Sequence, residues 1–115
     1  MEFYEKYQGK LLNDYGSICS AEFISFARAF FREIKKRAED FEIVKKHIGH
    51  YDLFMFLEKN GKYVYLKYSG INRCHVDLNH GVMIRKAKDS QDYSGETNHF
   101  PNWENLFKEI ESLSK

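Results

Sequence analysis

The dipeptide Asn60-Gly61 is the feature that most constrains the fold of this chain. A type I′ turn needs φ > 0 at both of its central residues, and Asn and Gly adopt that conformation at the lowest cost. The flanking segments, HYDLFMFLEK (50–59) and KYVYLKYS (62–69), are rich in aromatic and aliphatic residues. The sequence therefore predicts a β-hairpin over residues 50–69.

The turn also determines which residues of the hairpin oppose each other. With Asn60 and Gly61 as the loop, the pairs on one face are Leu57 with Val64, Met55 with Leu66, and Leu53 with Tyr68. The pairs on the other face are Glu58 with Tyr63, Phe56 with Tyr65, and Phe54 with Lys67. A slip of one residue would exchange the faces, and the wholly apolar first set argues against it. The second face is expected to carry four aromatic rings interleaved with charge.

Helices are predicted on both sides of this hairpin. Apolar residues at helical spacing indicate a short helix over residues 2–13 and a longer one from Ala21 to about Ala38, with Ser17 or Ser20 as its N-cap. The basic residues of the longer helix are expected on its solvated face. A closing helix follows Asn102, with its apolar stripe formed by Trp103, Leu106, Phe107, Ile110 and Leu113.

Additional strands complete a sheet. Residues 41–48 and 82–85 are predicted strands, and residues 74–78 form a short strand or an extended loop. Because every connection is short, neighbouring strands are expected to be antiparallel. The predicted fold is a single α+β domain over residues 1–115, an antiparallel meander of about four strands packed against amphipathic helices in the order α-α-β-β-β-β-α.

Composition favours a cytoplasmic protein. No apolar run approaches the roughly 20 residues of a membrane span, and the first residues lack the pattern of a secretory signal. The two cysteines, Cys19 and Cys74, fit a reducing compartment as small buried side chains.

The sequence predicts no catalytic residue, cofactor or metal site. Phosphate-binding loops, the nucleophile elbow and the zinc-protease motif are all absent from it. Cys74 and His75 are adjacent, so on a strand they would point to opposite faces rather than converge with His80 on a metal. Turn-forming residues predict a polar loop over residues 88–99. His99 ends this loop, where a hydrogen-bond network with Asp92, Tyr93, Asn98 and Asn102 is favoured over an acid–base site.

Positive charge is concentrated in residues 59–88. Seven lysine and arginine residues lie there with a single carboxylate, Asp77. Cations beside aromatic rings on a sheet are typical of a platform for single-stranded nucleic acid. They are also explained by ordinary sheet stabilisation, because aromatic cross-strand pairs contribute to stability and lysines keep edge strands soluble. The glycine-rich aromatic strand of an RNA-recognition motif is absent.

Two stretches resemble a known group of proteins. Residues 7–39, YQGKLLNDYGSICSAEFISFARAFFREIKKRAE, and residues 92–103, DYSGETNHFPNW, resemble a family of small uncharacterised proteins carried by bacterial conjugative elements and phages. The resemblance implies an accessory protein of a mobile element, and an obvious task for such a protein is to act against host defence, as anti-CRISPR inhibitors do. It implies no particular functional residue.

Two functions follow as hypotheses. The first is a non-enzymatic inhibitor or adaptor that binds a host protein such as a CRISPR effector. Its carboxylates would mimic phosphates at a basic nucleic-acid channel of that protein; they are Asp89, Asp92, Glu96, Glu104, Glu109 and Glu111. The second is an accessory protein that binds single-stranded nucleic acid through its basic aromatic sheet face. The candidate partner-binding residues are Phe54, Phe56, Tyr63, Tyr65, Lys67, Asp92, Tyr93, Glu96 and His99.

Overall fold

The predicted hairpin is the centre of the sheet in the computed structural model, which describes residues 2–12, 21–49, 52–69, 75–95 and 97–115. Strand β2 spans Asp52–Lys59 and strand β3 spans Lys62–Ser69. The turn residues have φ of 52° at Asn60 and 80° at Gly61, as a type I′ turn requires. The predicted register is confirmed, from Asp52 opposite Ser69 at one end to Lys59 opposite Lys62 at the other.

Two outer strands extend the hairpin into a four-stranded antiparallel sheet. Strand β1, Glu42–Ile48, pairs with β2, and strand β4, Val82–Ala87, pairs with β3, giving the order β1-β2-β3-β4. The predicted α+β fold and its element order are therefore confirmed. Residues 74–78 add no strand to this sheet: His75 makes only an isolated bridge to Leu11, and Cys74 lies outside the described residues.

A β-bulge in β1 decides which of its side chains face the helices. Ile43 opposes Leu57 and Lys45 opposes Phe56, so Val44 is the extra residue between them. Beyond the bulge, Lys46 opposes Met55 and therefore lies on the same side of the sheet as Ile43. Lys45 lies on the opposite side. We call the side that packs against the helices the helical face and the other side the outer face.

In the described part of the chain, three helices cover the helical face. Helix α1 spans Glu2–Tyr7, α2 spans Ala21–Arg37 and α3 spans Trp103–Leu113. The predicted first helix was too long: Gly9 has φ of 78°, which ends the helix, and its N–H donates to the Val76 carbonyl at 2.8 Å. The N-cap of α3 is confirmed, since the Asn102 side chain accepts from the Asn105 N–H at 2.9 Å. The proposed caps Ser17 and Ser20 lie outside the described residues.

The main core is aromatic and lies between the helices and the helical face. Phe26 contacts Tyr68 of β3 with ring centroids 5.2 Å apart, and Phe3 stacks on Trp103 at 5.3 Å. These rings join α1, α2, α3 and the sheet into one apolar cluster. Among the described residues, no helix is both long enough and apolar enough to cross a membrane.

Candidate functional site

The outer face of the sheet holds a second aromatic cluster. Phe54 and Phe56 of β2 lie beside Tyr65 of β3, with ring centroids 4.9 Å apart for Phe56 and Tyr65 and 5.8 Å apart for Phe54 and Tyr65. The strand pleat places them there, because residues two apart on a strand share a face. Phe56 has no exposed surface and Tyr65 is 7% exposed, although none of the described helices covers this side.

A loop covers these rings. Residues 88–95 fold back from β4 across the outer face, and the Tyr93 ring meets all three rings edge-on, at 5.7 Å from Phe54, 5.4 Å from Phe56 and 6.3 Å from Tyr65. Edge-to-face contacts of this kind are favourable because the positive ring edge meets a negative ring face. The open face of four rings expected from the sequence is therefore closed over Phe56 and Tyr65.

Arg85 of β4 attaches the loop to the sheet. Its guanidinium lies over the Tyr65 ring, 4.4 Å from the centroid, and Nη2 donates to the Asp92 carbonyl at 2.7 Å. Gly95 passes so close that a side chain there would overlap the guanidinium. Arg85 is one of the seven basic residues of the stretch 59–88, but it is not accessible to a partner, because only 2% of it is exposed. Its role is to hold the loop over the rings.

The Asp92 carboxylate organises the loop from within. Oδ2 accepts from the Lys88 N–H at 2.9 Å, and Oδ1 accepts from the N–H groups of Gly95 at 2.8 Å and Ser94 at 3.3 Å. These hydrogen bonds, with a smaller contribution from the nearby Arg85 cation, lower the pKa of Asp92. The carboxylate is therefore committed to the loop's own backbone.

Tyr93 is the exposed part of this assembly. About half of it, 51%, is open to solvent, although its ring rests on three others. Lys45 of β1 lies over the same ring with Nζ 5.0 Å from the centroid, and Lys67 of β3 is held by Asp52, with 3.7 Å between Nζ and Oδ2. The result is a fixed aromatic side chain with cations nearby. We call Tyr93, Phe54, Lys45 and Lys67 the Tyr93 surface.

Burial also affects Tyr65. Removal of its phenol from water raises its pKa, an effect that the adjacent Arg85 cation partly opposes. Tyr65 is therefore uncharged at neutral pH, and its ring forms part of the support beneath Tyr93 rather than a contact surface.

The remaining predicted site residues are dispersed. Tyr63 lies at the turn end of β3, opposite Glu58 and half-buried. His99 exchanges two backbone hydrogen bonds with Ile84, and the Ile84 side chain belongs to the main core. Because directly opposed residues of an antiparallel pair share a side, His99 lies on the helical face and not on the outer face. Within the described part of the chain, no hydrogen bond joins the His99 ring to Asp92, so the expected network is not formed. Glu96 lies outside the described residues.

A groove that the sequence did not predict lies on the helical face of β1. It has a volume of about 660 Å³ and runs between α2 and β1. The lining residues are Arg28, Phe31, Arg32, Lys35, Lys36, Ile43 and Lys46. The helical residues were expected to point into solvent at the end of α2. The sequence showed the basic stripe at helical spacing and the strand that became β1, but not that Lys46 of this strand faces the stripe.

The described cations of the basic stretch 59–88 are not all available to form one patch, and Arg73 lies outside the described residues. Lys59 pairs with Glu111 at 3.0 Å, Lys67 pairs with Asp52, and Arg85 is buried. Nor do the acidic residues converge, since Asp92 binds its own loop and Glu111 pairs with Lys59. In the ranges that the structure describes, no three His, Cys, Asp or Glu side chains come together as metal ligands.

Comparisons of the chain with protein-family models, with curated proteins and with solved structures find no match.

Proposed function

We propose that this chain is a non-enzymatic, cytoplasmic binding protein that recognises another protein through the Tyr93 surface. The observation that carries the proposal is that Tyr93 is half-exposed while its ring packs edge-on against three other rings. Tyrosine is enriched at the residues that dominate binding energy, because it offers a large amphipathic contact area with few torsions to fix.

The loop supports this proposal by preorganisation. Two separate attachments hold it, the Arg85 guanidinium on the Asp92 carbonyl and the Asp92 carboxylate on three backbone N–H groups. A side chain that is already immobilised loses little further entropy when a partner covers it. Tyr93 therefore meets a partner at a lower entropic cost than a tyrosine on a free loop.

Stacking on single-stranded nucleic acid is less well supported as a function. A base must lie flat on an exposed ring, and Phe56 and Tyr65 are buried beneath Tyr93. Lys67, the cation expected beside them, already faces Asp52. Two of the four rings expected to stack on bases are thus covered, and the cation expected beside them is paired.

The resemblance to mobile-element proteins gives the partner class within this proposal, a bacterial host protein such as a CRISPR effector. The structure does not favour inhibition by phosphate mimicry, because two of the carboxylates suggested for it already have partners. Asp92 accepts hydrogen bonds from its own loop, and Glu111 pairs with Lys59. Contact through Tyr93 is the route we propose instead.

Photo-crosslinking tests the proposal at the residue that carries it. A photoreactive benzoylphenylalanine is placed at Tyr93, and in a matched control at Phe100, which is 64% exposed but belongs to neither ring cluster. Each protein is irradiated in a bacterial lysate with and without nuclease.

A discrete protein adduct from position 93 alone, insensitive to nuclease, is the expected result. Adducts from both positions alike, or an adduct lost after nuclease treatment, would contradict a protein partner at the Tyr93 surface.

A further inference from the structure

The groove between α2 and β1 is the strongest feature that the Tyr93 surface does not include. Five of its seven lining residues are cationic, and each of the five is exposed. Within the described part of the chain, no carboxylate lines it. Glu33, the acidic residue amid the basic end of α2, is directed toward Arg37 at 4.0 Å and is not among the lining residues.

Local structure explains why the cations share one groove. Arg28, Arg32, Lys35 and Lys36 follow each other at intervals that place them on one side of α2. Since a helix rises 1.5 Å per residue, they line about 12 Å of its length. The bulge at Val44 then directs Lys46 toward the helix, where regular alternation would have placed Lys45.

The floor of the groove is apolar. Phe31 and Ile43 form it, and Lys46 lies over the Phe31 ring with Nζ 5.4 Å from the centroid. Lys35 is fixed at one end by a hydrogen bond from Nζ to the Phe41 carbonyl at 3.2 Å. The groove thus combines a strip of apolar surface with a rim of cations.

This combination favours one kind of ligand. Like charges at helical i, i+4 spacing repel each other, and an anionic ligand would relieve that repulsion. A phosphate backbone would use the cations but not the apolar floor, and Phe31 is too buried for a base to stack on it. A peptide that carries both carboxylates and apolar side chains uses both features.

We propose that the α2–β1 groove binds an acidic peptide segment that also carries apolar side chains. The site lies on the helical face, away from Tyr93, and it stands whether or not Tyr93 binds a partner. Lys45 and Lys46, on opposite sides of the edge strand, mark the boundary between the two surfaces.

Fluorescence anisotropy with defined probes tests this proposal on the full chain. The probe is a fluorescein-labelled peptide with three repeats of Glu-Leu-Glu-Ala, long enough to span the groove. Two further probes replace leucine by serine or replace the peptide by oligothymidylate of the same length. The charge-reversal variant Arg28→Glu/Arg32→Glu is compared with Lys86→Glu/Lys108→Glu, which makes the same charge change at exposed residues outside the groove.

Saturable binding of the leucine peptide, weakened about tenfold or more by the groove variant and less than about twofold by the control, is the expected result. The serine peptide is expected to bind about fivefold or more weakly than the leucine peptide, because it lacks contacts to the apolar floor. Arg28→Gln/Arg32→Gln serves if the charge reversal impairs folding, as judged by circular dichroism.

Three outcomes would overturn the proposal. Equal weakening by both double variants would show that only overall charge matters. Equal affinity for the leucine and serine peptides would remove the role of the floor. Tighter binding of oligothymidylate than of the leucine peptide would assign the groove to nucleic acid.

Discussion

Replacing Phe56 by alanine tests most sharply whether the outer face is a covered cluster or an open platform. The Phe56 ring has no exposed surface and contacts three rings, those of Tyr65 at 4.9 Å, Tyr93 at 5.4 Å and Phe54 at 6.4 Å. An open platform would tolerate this substitution with little loss of stability. A covered cluster would not.

The expected loss follows from that burial. Truncation of a buried phenylalanine to alanine costs about 3–5 kcal/mol, from lost transfer free energy and the cavity left behind. Because a loop forms one wall of the cavity and can settle inward, we expect Phe56→Ala to lower the free energy of unfolding by about 3–4 kcal/mol. Tyr93→Ala is the matched comparison, and half-exposure of Tyr93 reduces its expected loss to about 1–2 kcal/mol.

Urea denaturation followed by circular dichroism measures both losses. With a slope of about 1.5 kcal/mol/M for a domain of this size, Phe56→Ala should lower the urea midpoint by about 2–2.7 M, and Tyr93→Ala by about 0.7–1.3 M. A loss below about 1 kcal/mol for Phe56→Ala, or equal losses for the two variants, would refute the covered cluster.

Three other outcomes are expected from the same structure. Trp103→Ala should lower the free energy of unfolding by about 3–5 kcal/mol, because Trp103 is 1% exposed at the meeting point of the helices; a loss below about 1 kcal/mol in urea denaturation would place it outside the core. Gly95→Ala should lower the melting temperature more than Gly61→Ala, because both glycines have positive φ but only at Gly95 would the new Cβ overlap a neighbour, Arg85. Equal shifts in melting temperature would argue against that close approach. The protection factors of the amides bound by Asp92, measured relative to the intrinsic exchange rate at each pH, should fall in acid: because the pKa of Asp92 is lowered, the stabilisation from its hydrogen bonds is complete above about pH 4 and is lost as the pH falls through the folded-state pKa. Protection factors that are unchanged well below that pH would contradict the assignment.

The hairpin shows what the sequence could predict. Asn60-Gly61 fixed the turn type, and the turn type fixed the register of the eight pairs of β2 and β3. Helical periodicity likewise located α2 and α3. These features depend on residues close together in the chain, so local rules were sufficient.

The covering loop shows what the sequence could not predict. Turn-forming residues predicted a loop over residues 88–99, but they did not indicate that Tyr93 would fold back onto β2 and β3. Arg85 looked like a solvent-exposed cation of an edge strand because its partners, the Asp92 carbonyl and the Tyr65 ring, belong to other segments. Contacts of this kind depend on tertiary packing.

The α2–β1 groove was missed for a related reason. Whether Lys45 or Lys46 faces the helix depends on the bulge at Val44, and a bulge moves every later residue of the strand to the other face. The sequence of β1 contains no glycine or proline to signal it. Two basic segments that are separate in the chain therefore meet in space without a local sign.

The most direct test of the central claim is quantitative affinity capture from a nuclease-treated bacterial lysate with the unmodified chain, Tyr93→Ala and Phe100→Ala. If the Tyr93 surface binds a protein, the unmodified chain and Phe100→Ala should recover one specific protein in equal amounts. Tyr93→Ala should recover about tenfold less of it or none, as expected for a residue that dominates binding. Equal recovery by all three proteins, or no specific protein with any of them, would contradict a protein-binding role for the Tyr93 surface.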